Sequence, residues 1–420
     1  MKFLSTPLFC GLALSLVTTP ALAQGSGHGR FHKQFRVQHV HNLQSNEIVY
    51  LDFADLNSDG YPELLYADPY FQTDRESGFD TGRVFVYDGK TGAELYDQQG
   101  QGSGARLGVN ARFLEDMNGD GVQEIAFIDH YQFSYHLHIR SGADFSALIN
   151  SPQFQPFYNV ISIGDRTADG ISELAAVRYS NPFGPSLEIL DGSDFSLLQR
   201  KSIADVGMQL ARLGDLDGDG LEEIGASFLL NPFGADQGQI LRGSNLGTMQ
   251  RFSAEVSTMS VLAPAGDVDA DGTQDILMGN PYSHYQGIDD SGLVQVVSGA
   301  TGTVLATHYG ASQDRIGGYM ASMGDLNGDG HAEYLLGSKL LTQGEGFGNH
   351  PQEVRLFSGS THAELTGQNA RNTFTRHGSR SLAVSAATPT QKAFIGFADS
   401  FQRRFGSPMT TRLDVFRFGN

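Results

Sequence analysis

The chain has 420 residues, with 52 Gly, 28 Lys plus Arg against 47 Asp plus Glu, and a single Cys. A net charge of −19 argues against a nucleic-acid partner, because phosphate binding needs a basic footprint. With 40% hydrophobic residues the chain is no disordered acidic tail, and abundant Gly with 28 Phe, 15 Tyr and no Trp suggests tight turns between short β-strands.

Residues 1–23 begin with Met1 and Lys2, run through the apolar stretch Leu8 to Val17, and close on Ala21, Leu22 and Ala23 before Gln24. That order is a signal peptide with an A-x-A cleavage site, and it predicts a secreted or periplasmic protein. The apolar run is too short to span a bilayer, and no later segment approaches the roughly 20 apolar residues a spanning helix needs, so no transmembrane segment is expected. Cys10 lies inside the signal, and Phe9 stands where a lipid-modified Cys wants a small residue. The processed chain would hold no cysteine, so something other than disulfides must staple it. Residues 24–30 (QGSGHGR) read as a flexible lead-in.

The pattern D-x-[DNT]-x-D-G-x-x-[DE] then recurs six times. Its oxygen-bearing positions are Asp55, Asn57, Asp59 and Glu63; Asp116, Asn118, Asp120 and Glu124; Asp165, Thr167, Asp169 and Glu173; Asp215, Asp217, Asp219 and Glu223; Asp267, Asp269, Asp271 and Asp275; and Asp325, Asn327, Asp329 and Glu333. Successive loops start 49 to 61 residues apart, a period that marks propellers and solenoids. Before each loop stands an alternating segment, and after it a near-continuous apolar run such as Leu64 to Tyr66 or Tyr334 to Leu336, which reads as a buried strand. A more amphipathic hairpin follows in most units, as in Arg83 to Tyr87 turning at Asp88 and Gly89 into Ala93 to Tyr96. Each unit is thus four strands, the acidic loop joining the first to the second.

Four-stranded units in this number predict an all-β, seven-bladed propeller. Beyond residue 370 only three strands remain, at Leu382 to Ala386, Ala393 to Phe397 and Arg412 to Phe418, so an N-terminal strand at about 33–42 is expected to complete the seventh blade. The propeller then covers residues 31–420, at about 57 residues for each blade. The seventh unit has no acidic ligands between Val384 and Lys392 and should bind no ion.

In each loop, positions 1, 3 and 5 place oxygens on one side of a tight turn, Gly at position 6 permits the bend, and the carboxylate at position 9 closes a cage of hard donors suited to Ca²⁺. An EF-hand would need Glu at position 12 and a following helix, but Tyr66, Phe127, Ala176, Ala226, Met278 and Leu336 stand there, within strands. Up to six calcium ions are expected, held weakest at Asp165, where Arg166 and Thr167 replace the usual residues and three carboxylates remain. The ligand positions hold 20 carboxylates, so the chain's acidity is chiefly a count of these ligands.

At this point the sequence resembles the FG-GAP repeat family, the propellers of integrin α-subunits and of many bacterial exported proteins. Unit six carries the fullest match, from Asp314 through Gly318 to Gly330 and then Tyr334 to Gly337; Arg106, Leu107 and Gly108 fill the "FG" place in unit two, and Gly279, Asn280 and Pro281 the "GAP" place in unit five. The resemblance implies a seven-bladed propeller with calcium in hairpin loops on one rim. It does not carry over receptor function, since neither an inserted adhesion domain nor a membrane stalk is visible.

Other groupings are less specific. His39 and His41, and His136 and His138, alternate on strands where a pair could ligate a metal, but they read as solvated or edge-strand residues. An aromatic set after the second strands, Tyr70, Phe71, Tyr131, Phe133, Phe183, Phe233, Tyr282 and Phe401, forms either an aromatic face for a ligand or packing between blades. No G-x-S-x-G, H-E-x-x-H, P-loop or strand-linked G-x-G-x-x-G occurs, so no catalytic residue is assigned. The expected function is a binding or adhesion module for a glycan or protein, acting as a monomer. A polysaccharide lyase or hydrolase and a purely structural scaffold are the alternatives.

Overall fold

The computed structural model describes residues 30–41, 50–71, 80–102, 104–131, 134–150, 156–180, 184–203, 208–228, 238–252, 261–284, 287–288, 291–312, 314–338, 352–365, 374–376, 379–388, 391–402 and 409–419. The signal-peptide and lead-in readings, for residues 1–29, therefore lie outside the described residues. So do Phe133, Phe183 and Phe233.

All helical and strand elements among the described residues are strands, 28 of them in seven four-stranded sheets. The first blade runs Tyr50–Ala54, Glu63–Asp68, Arg83–Tyr87 and Glu94–Gln99, each strand antiparallel to the last. The innermost strands of the other blades are Val109–Leu114, Phe157–Ser162, Met208–Arg212, Val261–Gly266, Ile316–Gly324 and Ser379–Ser385. Each innermost strand touches those of both neighbouring blades, and the contact between Tyr50–Ala54 and Ser379–Ser385 closes the circle. This is a seven-bladed β-propeller.

Burial follows position in the blade. The second strand is covered on both faces by adjacent blades, so Glu63–Asp68 is buried throughout, which explains the unbroken apolar runs in the sequence. The outermost strands alternate, as at Glu94–Gln99 and Leu197–Ser202, because one side faces water. The seven apolar clusters among the described residues each straddle one boundary between blades; one joins Leu65, Val84 and Val86 of the first blade to Leu107, Phe113 and Phe127 of the second. At about 25 cal/mol per Å² of apolar area, these contacts are the main force holding blade to blade.

The seventh sheet is ordered Arg30–His41, Met409–Gly419, Phe394–Gln402 and Ser379–Ser385, so the N-terminal strand pairs with the C-terminal one as expected. Their register runs from Arg30 opposite Gly419 to His41 opposite Met409, with one irregularity between Lys33 and Phe35. Side chains seal the junction: Arg417 Nη1 donates to Tyr61 Oη at 2.8 Å, and the Tyr61 ring lies edge-on to Phe394. No helix among the described residues is long and apolar enough to cross a membrane.

Residues 30–41 supply the outer partner of Met409–Gly419, so a chain lacking residues 1–41 should lose a single cooperative unfolding transition and aggregate through the bared edge. A peptide of residues 30–41 added in trans should raise the transition again. An unchanged transition in the truncated chain, followed by circular dichroism, would contradict this closure.

Candidate metal loops and the opposite face

The six acidic loops share one construction. Position 6 is Gly60, Gly121, Gly170, Gly220, Gly272 or Gly330, all with φ between 80° and 90°; a Cβ at Gly121, Gly170, Gly220, Gly272 or Gly330 would meet open space, so the backbone angle is what excludes other residues. The Asp at position 1 accepts the N–H of that glycine through Oδ2 at 2.7–2.9 Å in all six loops. Asp at position 5 accepts the N–H of position 7 at 2.8–3.0 Å, again six times. These local bonds curl the chain so that its carboxylates converge.

The carboxylate at position 9 differs from the rest in being fully buried, at 0–1% exposure for Glu63, Glu124, Glu173, Glu223, Asp275 and Glu333. One of its oxygens accepts the N–H of position 2, at 2.6–2.8 Å from Leu56, Met117, Leu216, Val268 and Leu326, and from Arg166 in the third loop. Burial pushes the Glu63 and Glu333 carboxyls up to about 7 and that of Glu124 up to about 8, against the pull of these N–H donors; nearby loop aspartates add to the rise. Glu223 and Asp275 are raised for the same reason.

Where the second oxygen of position 9 goes tells most about the loops. It accepts Asn57 Nδ2 at 2.9 Å in loop one and Asn327 Nδ2 at 2.9 Å in loop six, Thr167 Oγ1 in loop three, and a backbone N–H from Gly243 or Gly299 in loops four and five. In loop two, Glu124 Oε1 is buried without any hydrogen-bond partner. An ionised oxygen so placed needs a proton or a cation.

Around it, Asp116, Asp120 and Glu124 each bring one oxygen to within 4.8 Å of the others, as do Asp165, Asp169 and Glu173; Asp215, Asp217 and Glu223; and Asp267, Asp269 and Asp271. Oxygen-only sets this close are the hard donors that a divalent cation such as Ca²⁺ takes, although in loop three the Arg166 guanidinium stands beside the set. In loops one and six the Asn amide holds the ninth carboxylate instead; a half-turn of that amide presents its oxygen.

Sequence reasoning missed a second component of each loop. The turn between the third and fourth strands carries Gly89, Gly142, Gly192, Gly243, Gly299 or Gly359, and a Cβ there would lie 1.9–2.4 Å from the carbonyl oxygen of loop position 8. The outer hairpin is thus pressed onto the acidic loop in six blades. The signal was present as a glycine recurring once per unit just after the third strand. Adjacent loops also touch: the Ser172 N–H donates to the Asp116 carbonyl at 3.3 Å, and that of Ala332 to the Asp267 carbonyl at 2.7 Å.

The histidine reading needs correction. His136 is buried at 8% exposure on an inner strand of its blade, neither solvated nor at an edge. It and His138 grip one carboxylate from two sides, Nδ1 of His136 at 2.7 Å from Asp129 Oδ1 and Nε2 of His138 at 2.9 Å from Oδ2. Burial would raise the Asp129 carboxyl, but the two imidazoles outweigh it and hold the group low. The side chains of His39 and His41 lie outside the described residues.

The aromatic set divides. Phe71 is buried, edge-on to Phe85 and beneath Arg83, and so belongs to the blade interior. Tyr70 lies under the Arg106 guanidinium at 5.2 Å, and Tyr282 under that of Arg315 at 5.1 Å, the same pairing in two places. From Arg106 the surface continues through His130, stacked on Tyr135 at 4.5 Å, to Tyr158 at 4.8 Å, and Tyr179 of the same blade is 49% exposed. All lie at strand ends remote from the acidic loops. Most of these residues fall outside the motif that drew attention to the loops after the second strand.

The FG-GAP repeat family matches residues 261–297, which span loop five and the strands on either side of it. The chain is a seven-bladed β-propeller that carries an FG-GAP repeat. Integrin alpha-E of Mus musculus is 33% identical over 106 residues, which cover 24% of this chain and 9% of that protein, so the match spans less than a tenth of the relative's length. Two crystal structures of BBS1N in complex with ARL6DN, soaked with mercury and with lead, share the FG-GAP propeller's fold at TM-scores of 0.55 and 0.53 with 10% identity. They cover 93% and 94% of this chain and 97% and 98% of the matched chains.

Because the turn glycines of this propeller leave no room for a Cβ, Gly142→Ala and Gly299→Ala should each lower stability by about 1–3 kcal/mol. Chemical denaturation reads that loss; variants as stable as the parent would show that the outer turn does not press on the loop.

Proposed function

We propose that this FG-GAP propeller is an exported, calcium-stapled interaction module whose ligand, a protein surface, docks on the face away from the acidic loops. The observation that carries the reading is the continuous run of Tyr70, Arg106, His130, Tyr135 and Tyr158 across blades one to three. Tyr and Arg are the side chains that most often anchor protein interfaces, being large and carrying little conformational entropy per unit of contact area. Placed on a closed ring they need little ordering on binding, which is where much of the cost of association falls. A propeller of this fold in complex with a protein, BBS1N with ARL6DN, is in keeping with this reading, and the likeness to an integrin α chain is compatible with an extracellular setting.

The loops serve this face indirectly. Bound calcium would supply positive charge to the buried ninth-position carboxylates, with Asp116, Asp120 and Glu124 holding it in loop two and their counterparts in the other loops. Each loop then locks the first hairpin of a blade to its outer turn, the role disulfides often take in exported proteins.

Chelation should lower the melting temperature by several degrees, through linkage of ion binding to the folded state. Glu124→Gln separates the causes: it should destabilise the calcium-loaded protein, yet match or exceed the parent in EDTA, where the buried charge is a cost. Equal melting curves with and without EDTA would remove calcium from the account. For the ligand face, Arg106→Glu combined with Tyr179→Ala should keep the parent melting temperature and weaken capture of an extracellular protein about tenfold or more. Capture unaffected by the pair, or binding confined to a glycan array, would overturn a protein-docking face here.

A further inference from the structure

Position 2 of the acidic loops is where blades plug into one another. Leu56 lies against Gly142 of the next blade's outer turn, and Leu216 against Gly299 of the turn after its own, each with Cδ2 3.0 Å from where a glycine Cβ would stand. Met117, Leu216 and Val268 are all buried there. In loop three the plug is Arg166, which takes the same path: its Nη2 donates to the carbonyl of Gly243, the outer-turn glycine of blade four. Gly243 in turn donates its N–H to Glu223 Oε1 at 3.3 Å. Arg166 Nε and Nη1 are buried without a hydrogen-bond partner, and the guanidinium stands in the field of Glu173 of its own loop and Asp219 of the next.

We infer that Arg166 is a built-in cation at the junction of loops three and four, supplying charge that calcium supplies elsewhere and excluding an ion from loop three. This rests on the calcium reading above and goes beyond it by assigning five sites where the motif offers six. The ninth carboxylate of loop three has a donor on each oxygen, from Thr167 Oγ1 at 3.1 Å and from the Arg166 N–H, as it does in loops one, four, five and six; what sets loop three apart is the guanidinium at position 2. A fixed positive charge beside the cage then opposes a divalent ion by Coulomb repulsion in a partly desolvated place. Loop two, with an apolar plug and an unpartnered Glu124 Oε1, is its opposite.

The test is calcium stoichiometry on the full chain, by equilibrium dialysis and calorimetric titration of the parent, Arg166→Leu and Arg166→Lys. The parent should bind five equivalents. Arg166→Leu, which restores the residue found in loops one, four and six, should bind a sixth at least about tenfold more tightly than the parent does, and should melt lower than the parent in EDTA. Arg166→Lys should keep the parent stoichiometry. A purely structural arginine would lower the melting point of Arg166→Leu in calcium and EDTA alike without changing the number of ions, and that result would overturn the inference. Six equal sites in the parent would overturn it too, whereas no calcium bound by any of the three proteins would instead sink the calcium reading beneath it.

Discussion

A buried carboxylate at the mouth of the second strand, repeated in six blades, is the constraint around which this propeller is organised. The apolar clusters lie between blades and hold neighbours together, but they do not fix the ends of the strands within one blade. The ninth-position carboxylate does that. It receives an N–H from the loop, and in loops four and five one from the outer turn as well, so one charged group fastens two hairpins. The cost is the charge itself, which burial disfavours strongly enough to push Glu124 up to about 8. A cation near that oxygen turns a liability into a tie.

This division of labour separates the two faces. On the acidic rim nearly every carboxylate is committed to backbone N–H groups of its own loop, and local charge partners such as Lys90 near Asp59 and Arg242 on Asp217 reinforce the arrangement. At the other ends of the strands the demands of loop construction lapse. There Tyr, Arg and His gather across three blades, and the Arg-over-Tyr pairing of Arg106 on Tyr70 recurs at Arg315 on Tyr282. At the channel end of the rim, Arg212 bridges Glu115 and Glu222 and ties blade two to blade four, a connection that crosses the intervening blade.

Much of the architecture was legible in the chain because the repeat is nearly periodic and its loop has a stereochemical signature. Six glycines at position 6 with φ of 80–90° and six apolar runs buried on both faces are local requirements, and local requirements leave a mark at fixed spacing. The closing strand was legible by arithmetic, as a missing fourth member of the last sheet. The turn glycines of the outer hairpins were equally regular but escaped notice, since their role depends on a carbonyl some 20 residues earlier in the chain that only folding brings near. His136 and His138 misled for a related reason: Asp129, the group they hold, is on the neighbouring strand, and alternation alone cannot tell a solvated face from one turned toward another blade.

The sequence by itself determined the fold class, the number of blades, the way the ring closes and the six loops in which carboxylates gather, because each of these follows from short-range pattern and the twofold alternation of strands. Only the tertiary structure decided which oxygens are left without a partner, which position-2 side chain reaches the next blade, and which aromatic residues share a surface. Those are properties of inter-blade packing, where groups tens of residues apart meet, and neither burial nor hydrogen-bond satisfaction is defined until they do.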